Sequence, residues 1–253
     1  MPKTTSTRQR WRRALLLVSF LAFPITMNYM SPYLSVDGSF NGVLTGSVVA
    51  FGTMFLGSLA FGRLWCGWAC PMAGLQEFAL PINDRPAGRH ARFVKWVIWV
   101  PWLAAIAFGA LSVGGYRVVD LFYGTQGGIS VAGAPDRPIF IAYIIYFGVI
   151  ALFLGVAMGA GRRAGCQSIC WMAPFMIAGR WIRNRFGWPS LRLVADAERC
   201  RDCGSCTKAC PMGLDVEKLV HAASMENAEC VLCASCADAC PQKAIRFSFS
   251  AGR

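Results

Sequence analysis

The residues whose type and spacing can do chemistry in this chain are its twelve cysteines, and all of them fall in four clusters. Cys200, Cys203, Cys206 and Cys210, followed by Pro211, read C-x2-C-x2-C-x3-C-P, and Cys230, Cys233, Cys236 and Cys240, followed by Pro241, repeat the run. This is the spacing of a bacterial 4Fe–4S site, in which three close thiolates wrap one face of a cubane and the fourth, next to a proline, reaches the neighbouring cluster. The expected ligand sets are therefore crossed: Cys200, Cys203, Cys206 and Cys240 for cluster one, and Cys230, Cys233, Cys236 and Cys210 for cluster two. Zinc has no use for a doubled run of this kind, and disulfides conflict with the reducing compartment assigned below. Residues 214–225, between the runs, are expected to hold a short helix starting near Asp215. Val216, Leu219, Val220 and Ala223 should share one face of it, and His221 reads as a surface or packing residue.

The other four cysteines form two C-x3-C pairs, Cys66/Cys70 and Cys166/Cys170, separated by one hundred residues. Arg63, Cys66, Cys70, Met72 and Ala73 match Arg163, Cys166, Cys170, Met172 and Ala173, which points to an internal duplication. Cysteines four apart on a helix share a face, so two such faces brought together would offer four thiolates for a third 4Fe–4S cluster at the membrane surface. The plainer alternative is four reduced thiols packed under the ferredoxin part. Arg63 and Arg163 fit either neutralisation of a cluster or anchoring to lipid phosphate.

The elements that must position these thiols read as membrane helices. Of 253 residues, 55 % are hydrophobic and 15 % charged, more apolar surface than one soluble core can hide. Residues 14–36, 38–62, 96–116 and 138–161 carry no charge, and each is long enough to cross a bilayer. A signal peptide over residues 11–30 is disfavoured, because the apolar run is too long and no small-residue cleavage site follows. Lys3, Arg8, Arg10, Arg12 and Arg13 precede the first span; Arg63, Arg85, Arg89, Arg92 and Lys95 follow the second; Arg162, Arg163, Arg180, Arg183, Arg185 and Arg192 follow the fourth. The opposite side holds only Arg117 and Arg137. Both termini and the ferredoxin part are therefore expected on the cytoplasmic side of a bacterial inner membrane. Trp11, Trp65, Trp68, Trp96, Trp99, Trp171 and Trp181 are placed as an aromatic belt at that face.

The net charge of +12 does not point to nucleic acid. Residues 1–195 hold 18 Lys/Arg against 5 Asp/Glu, whereas residues 196–253 hold 7 against 8, so the excess flanks the membrane part. His90 and His221 are the only histidines and lie outside the spans, which excludes a membrane haem b. The expected spans contain no Asp, Glu or Lys, which argues against an ion pump.

Gly62-Arg-Leu-Trp-Cys66-Gly-Trp-Ala-Cys70-Pro71, the second C-x3-C pair and the two-cluster tail together resemble the NapH-type membrane ferredoxins, related to CcoG-type copper reductases and NosR-type proteins. One departure stands out: Cys170 is followed by Trp171, with Pro174 further on, where the family pattern has proline directly after the cysteine. The resemblance implies an electron-transfer subunit of a quinol-linked oxidoreductase complex, working with quinol or quinone and with further ferredoxin-like or cytochrome subunits. The expected fold is an all-α polytopic membrane protein. It has a basic tail (1–13), four transmembrane helices as two duplicated pairs (14–180), a basic linker (181–195) and an α+β two-cluster ferredoxin domain (196–253). The alternative function is a copper-binding, copper-reducing or metallocentre-assembly protein using the C-x3-C thiolates; a redox sensor ranks last.

Overall fold

The computed structural model describes residues 6–88, 91–132 and 138–251; Lys3, Arg89, His90 and Arg137 lie outside them. Helix α1 (Thr7–Leu21) is capped by Ser6, whose hydroxyl accepts from the Gln9 N–H at 3.3 Å. The expected first span does not continue straight. Pro24 has no N–H to give the preceding turn, and the chain bends by 56° into α2 (Phe23–Thr26) and a 3-10 turn, Met27–Met30. Ser31 and Pro32 then open α3 (Pro32–Phe40).

The expected second span is also divided. Gly42, at φ +66°, turns the chain into β1 (Val43–Thr45), and α4 (Gly46–Phe61) is only 16 residues long. Next come α5 (Leu64–Trp68), α6 (Pro71–Ala79) and α7 (Ala91–Ser112). Strand β2 (Val118–Asp120) pairs in parallel with β1 from Val43↔Val118 to Thr45↔Asp120. Helices α8 (Ile139–Ala160), α9 (Ala164–Ser168) and α10 (Ala173–Arg185) complete the helical part.

Among the described residues, two helical stretches, Arg92–Ser112 and Ile139–Ala160, are long and apolar enough to cross a membrane, and the bent pair Thr7–Leu21 and Phe23–Met30 makes a third if taken as one span. Helix α7 begins earlier than the charge-free run, so Lys95 lies inside a helix after all, and it is buried.

After α4 and α8 the chain does not leave the bundle. Gly62 (φ +57°) and Gly161 (φ +105°) end these helices in backbone conformations that suit glycine. The chain then folds back, so that α6 lies along α1 and α10 along α4. Gly74 approaches the Leu16 carbonyl so closely that a Cβ would overlap it, and Gly179 meets the Ser58 hydroxyl in the same way. Phe175 stacks on Phe51 with centroids 5.3 Å apart.

The C-terminal part is closed by β3 (Ser190–Ala195) and β4 (Ile245–Ser250), antiparallel from Ser190↔Ser250 to Ala195↔Ile245. Between them lie α11 (Ser205–Lys208), α12 (Val216–His221) and α13 (Ser235–Ala239). Asp215 caps α12 as expected, and Val216 and Val220 are buried. Ala223 falls past the helix end at φ +48° and is exposed, so it does not share that face. One apolar core runs from Leu16, Phe51 and Phe153 through the C-x3-C cysteines to Leu193, Val220 and Ile245, joining the two parts.

Candidate metal centre

The ferredoxin-type cysteines come together as two crossed sets. Cys200, Cys203, Cys206 and Cys240 line one small hollow, and Cys210, Cys230, Cys233 and Cys236 line another. Their loops repeat at thirty residues: positive φ occurs at Asp202 and Leu232, Gly204 and Ala234, Gly213 and Lys243. These bends turn backbone N–H groups onto sulfur, as from Leu232 to Cys230, Met212 and Leu214 to Cys210, and Ala244 to Cys240 at 3.4 Å. Such bonds stabilise an anionic thiolate–iron centre. The second hollow is the buried one, walled by Leu193, Val216 and Val231. Burial and then neighbouring Cys233 push the Cys210 thiol up to about 12, so a metal bound there must displace its proton. Cys203 in the first hollow is exposed. His221 is exposed too and pairs through Nε2 with Asp202 Oδ1 at 2.7 Å.

The two C-x3-C pairs also converge, though not as faces of single helices. Pro71 disfavours α conformation at Cys70, which sits extended (φ −77°, ψ 124°) as the residue before α6, while Cys66 lies on α5. The second half copies this arrangement at the hundred-residue offset, with Cys166 on α9 and Cys170 just before α10. Without a proline after Cys170, α10 opens two residues later than α6 does after Cys70. All four cysteines are buried, and each of Cys70 and Cys170 lies within electrostatic reach of the other three or of two of them. The Cys170 thiol is pushed up to about 12, first by burial and then by Cys166 and Cys66. Gln76 donates from Nε2 to Cys166 Sγ at 3.0 Å, and Met176 Sδ lies 3.9 Å from Cys66 Sγ. Gln76 and Met176 are one hundred residues apart, so carrying the duplication six positions past the second cysteine would have found both.

This set is buried among the helices. Ser19 of α1 donates to the Ala69 carbonyl, and Trp171 donates from Nε1 to the Met30 carbonyl at 2.9 Å while packing on Phe153. Trp171 is thus an internal contact and leaves the expected aromatic belt. Arg63 and Arg163 are buried, so neither guanidinium reaches a lipid headgroup. Arg63 donates from Nη1 to Glu229 Oε2 at 2.8 Å, Lys95 also pairs with Glu229, and Arg12 and Arg163 both pair with Glu77. Burial opposes the charge on Arg63, but Cys66 and Glu229 outweigh it and its pKa is raised. These ion pairs were not read from the sequence.

Among the described residues, four buried cations against two carboxylates leave a net +2 beside the four thiols, and Arg63 Nε and Nη2 and Arg163 Nε have no hydrogen-bond partner. A [4Fe–4S]2+ core with four thiolates is a dianion, so the donor set and its surroundings fit that group. A similar imbalance faces cluster two, where Arg180, Arg183 and Arg192 share Glu226 and Arg180 donates to the Cys230 carbonyl at 3.1 Å.

The C-x3-C turn abuts cluster two directly. Gly67 approaches the Val231 carbonyl so closely that a Cβ would overlap it, Trp68 donates from Nε1 to the Leu232 carbonyl at 3.1 Å, and Arg163 donates to the Cys66 carbonyl at 3.3 Å.

Residues 199–245 match the family described as a 4Fe–4S dicluster domain, and residues 43–85, which include Cys66 and Cys70, match a 4Fe–4S binding domain. The chain therefore carries ferredoxin-type 4Fe–4S binding segments in both its parts. It is 23 % identical over 192 residues to the methylamine utilization ferredoxin-type protein MauN of Methylobacillus flagellatus, a match covering 71 % of this chain and 60 % of that protein. It is 23 % identical over 209 residues to YccM of Escherichia coli (strain K12), named as a candidate electron transport protein, over 79 % of this chain and 55 % of that one. The chain thus spans less than two thirds of either relative. No solved structure matches it.

The crossed sets make one outcome specific. Cys240→Ala should damage the cluster whose other ligands are Cys200, Cys203 and Cys206, leaving the Cys230 cluster intact in site-resolved spectra. Loss of the Cys230 cluster instead would reject the crossed assignment.

Proposed function

We propose that this chain is a membrane-anchored iron–sulfur protein that passes single electrons between membrane quinol and a redox partner. In this reading four membrane segments hold it in a bacterial inner membrane, with both termini and the ferredoxin part on the cytoplasmic side. Cys66, Cys70, Cys166 and Cys170 hold a third 4Fe–4S cluster, next to the two held by the crossed sets. The clusters supply reversible one-electron storage. The observation that carries the reading is the direct packing of Gly67 and Trp68 on the cluster-two loop, which supports an electron path from the inner thiols to cluster two. The match of residues 43–85 to a 4Fe–4S binding domain supports the inner set, and the resemblance to ferredoxin-type relatives supports electron transfer. The chain's own part is to hold the order. The innermost set is embedded among helices, cluster two is clamped by Arg180, and exposed Cys203 marks the end open to a partner subunit of ferredoxin or cytochrome type.

Protein purified anaerobically with its clusters assembled should be reduced by a quinol or reoxidised by a quinone, followed in the visible and electron-spin spectra. Assembled protein that exchanges electrons with no quinone, alone or with co-purifying subunits, would overturn the reading. The Met176 thioether beside Cys66 favours a second one, since a thiol–thioether set suits Cu(I). Tight Cu(I) binding that competes with iron at this site, without quinone chemistry, would select it.

A further inference from the structure

We propose that the cleft between α4 and the turn carrying Trp65 and Trp68 binds the ring of a membrane quinone; this rests on the electron-transfer reading above and assigns its lipid-soluble substrate a place. The cleft has a volume of about 440 Å3, and its lining includes Ala50, Thr53, Gly57, Trp65, Trp68 and Met176. Three observations choose the occupant.

The first is position. Met176 lines the cleft, and its Sδ is 3.9 Å from Cys66 Sγ, so a ring seated there is separated from the four-thiol set by one polarisable side chain. The second is access. The cleft lies along the face of α4 where neighbouring Leu56 is 64 % and Phe61 50 % exposed, an apolar surface through which a ligand dissolved in the bilayer can enter. The third is the set of polar handles. Binding pockets for small ligands are mostly apolar, with a few polar groups that fix orientation. The Thr53 hydroxyl donates to the Val49 carbonyl at 2.9 Å, which leaves its oxygen free to accept from a quinol O–H. The Trp65 indole N–H makes no hydrogen bond among the described residues and suits a quinone carbonyl. A lipid acyl chain would use neither handle. Gly57 and Ala50 keep the floor low enough for a flat ring between the helix and the two indoles.

Glycine geometry supplies the test. A Cβ at Gly57 meets nothing within 4 Å, and neither does one at Gly52, which is on the same helix but does not line the cleft. Gly57→Phe should therefore fill the cleft without disturbing packing, and Gly52→Phe serves as its control. Full-length protein in lipid nanodiscs is photolabelled with an azidoquinone and its peptides are mapped. Label is expected in residues 50–69, displaced by unlabelled quinol, reduced about tenfold or more in Gly57→Phe and unchanged in Gly52→Phe. Label elsewhere, label undiminished by Gly57→Phe, or displacement by phospholipid as effective as by quinol would overturn the site. The two readings fail separately. Wild-type protein labelled in the cleft but exchanging no electrons sinks the electron-transfer reading and leaves the site standing, whereas wild-type exchange rates in Gly57→Phe sink the site alone.

Discussion

Cys166→Ser is expected to abolish electron exchange with quinol while both ferredoxin-type clusters remain assembled. Cys166 is buried on α9 and its sulfur accepts from Gln76 Nε2 at 3.0 Å, so a serine there meets the same donor but presents a harder and shorter ligand atom. The crossed sets at Cys200–Cys240 and Cys210–Cys236 share no ligand with it, so their assembly does not depend on this residue. On the proposed path their reduction by quinol should depend on it, because the inner set is the one that abuts the cluster-two loop. The measurement is iron content and electron-spin spectra before and after quinol, with dithionite as a reductant that bypasses the inner set. One cluster's worth of iron should be lost, dithionite should still reduce the remaining centres, and quinol should not. Cys66→Ser should behave alike, because the duplication gives it the equivalent place on α5. A variant that keeps full quinol exchange would remove the inner set from the path. One that loses tight Cu(I) binding with quinone chemistry intact would move the chain to the copper reading.

How much of this was legible in the sequence follows from how local each signal is. The ferredoxin-type runs were legible because eleven consecutive residues contain all four cysteines of each, and residues 199–245 match a 4Fe–4S dicluster domain. The C-x3-C pairs were legible as a duplication, but not in shape. Pro71 breaks the helix that would have put Cys66 and Cys70 on one face, and the return of α6 and α10 into the bundle depends on contacts such as Gly74 with Leu16 and Gly179 with Ser58. Span lengths read from charge-free runs missed Pro24 and the turn at Gly42, because neither residue changes hydropathy. The buried charges were the least legible. Lys95 and Glu229 are 134 residues apart and Arg12 and Glu77 are 65 apart, and nothing in either local sequence marks the partner.

Glu229→Gln should loosen the ferredoxin part from the helices more than any other single polar change at this junction. Glu229 is, among the described residues, the one carboxylate paired with both Arg63 of the C-x3-C turn and Lys95 of α7, and all three side chains are almost completely buried. Removing one member of a buried ion pair leaves uncompensated charge and costs about 3–5 kcal/mol, whereas removing the charges together costs far less. Here the amide would leave two cations facing each other without their anion. Hydrogen exchange over residues 226–233 should accelerate accordingly, and adding Lys95→Met should recover part of the loss, a coupling that independent sites would not show. The pH dependence carries the same signature. Burial raises the Glu229 pKa, but Arg63 and Lys95 outweigh it and hold it below the ordinary carboxylate value. Its contribution is therefore fully present above about pH 4.3 and is lost as the pH falls through the lowered native value. Wild-type protection over residues 226–233 should fall across that acidic window, and the part of the slope due to this group should be missing in Glu229→Gln. Equal protection in wild type and variant at neutral pH would show that the junction is held by apolar packing alone.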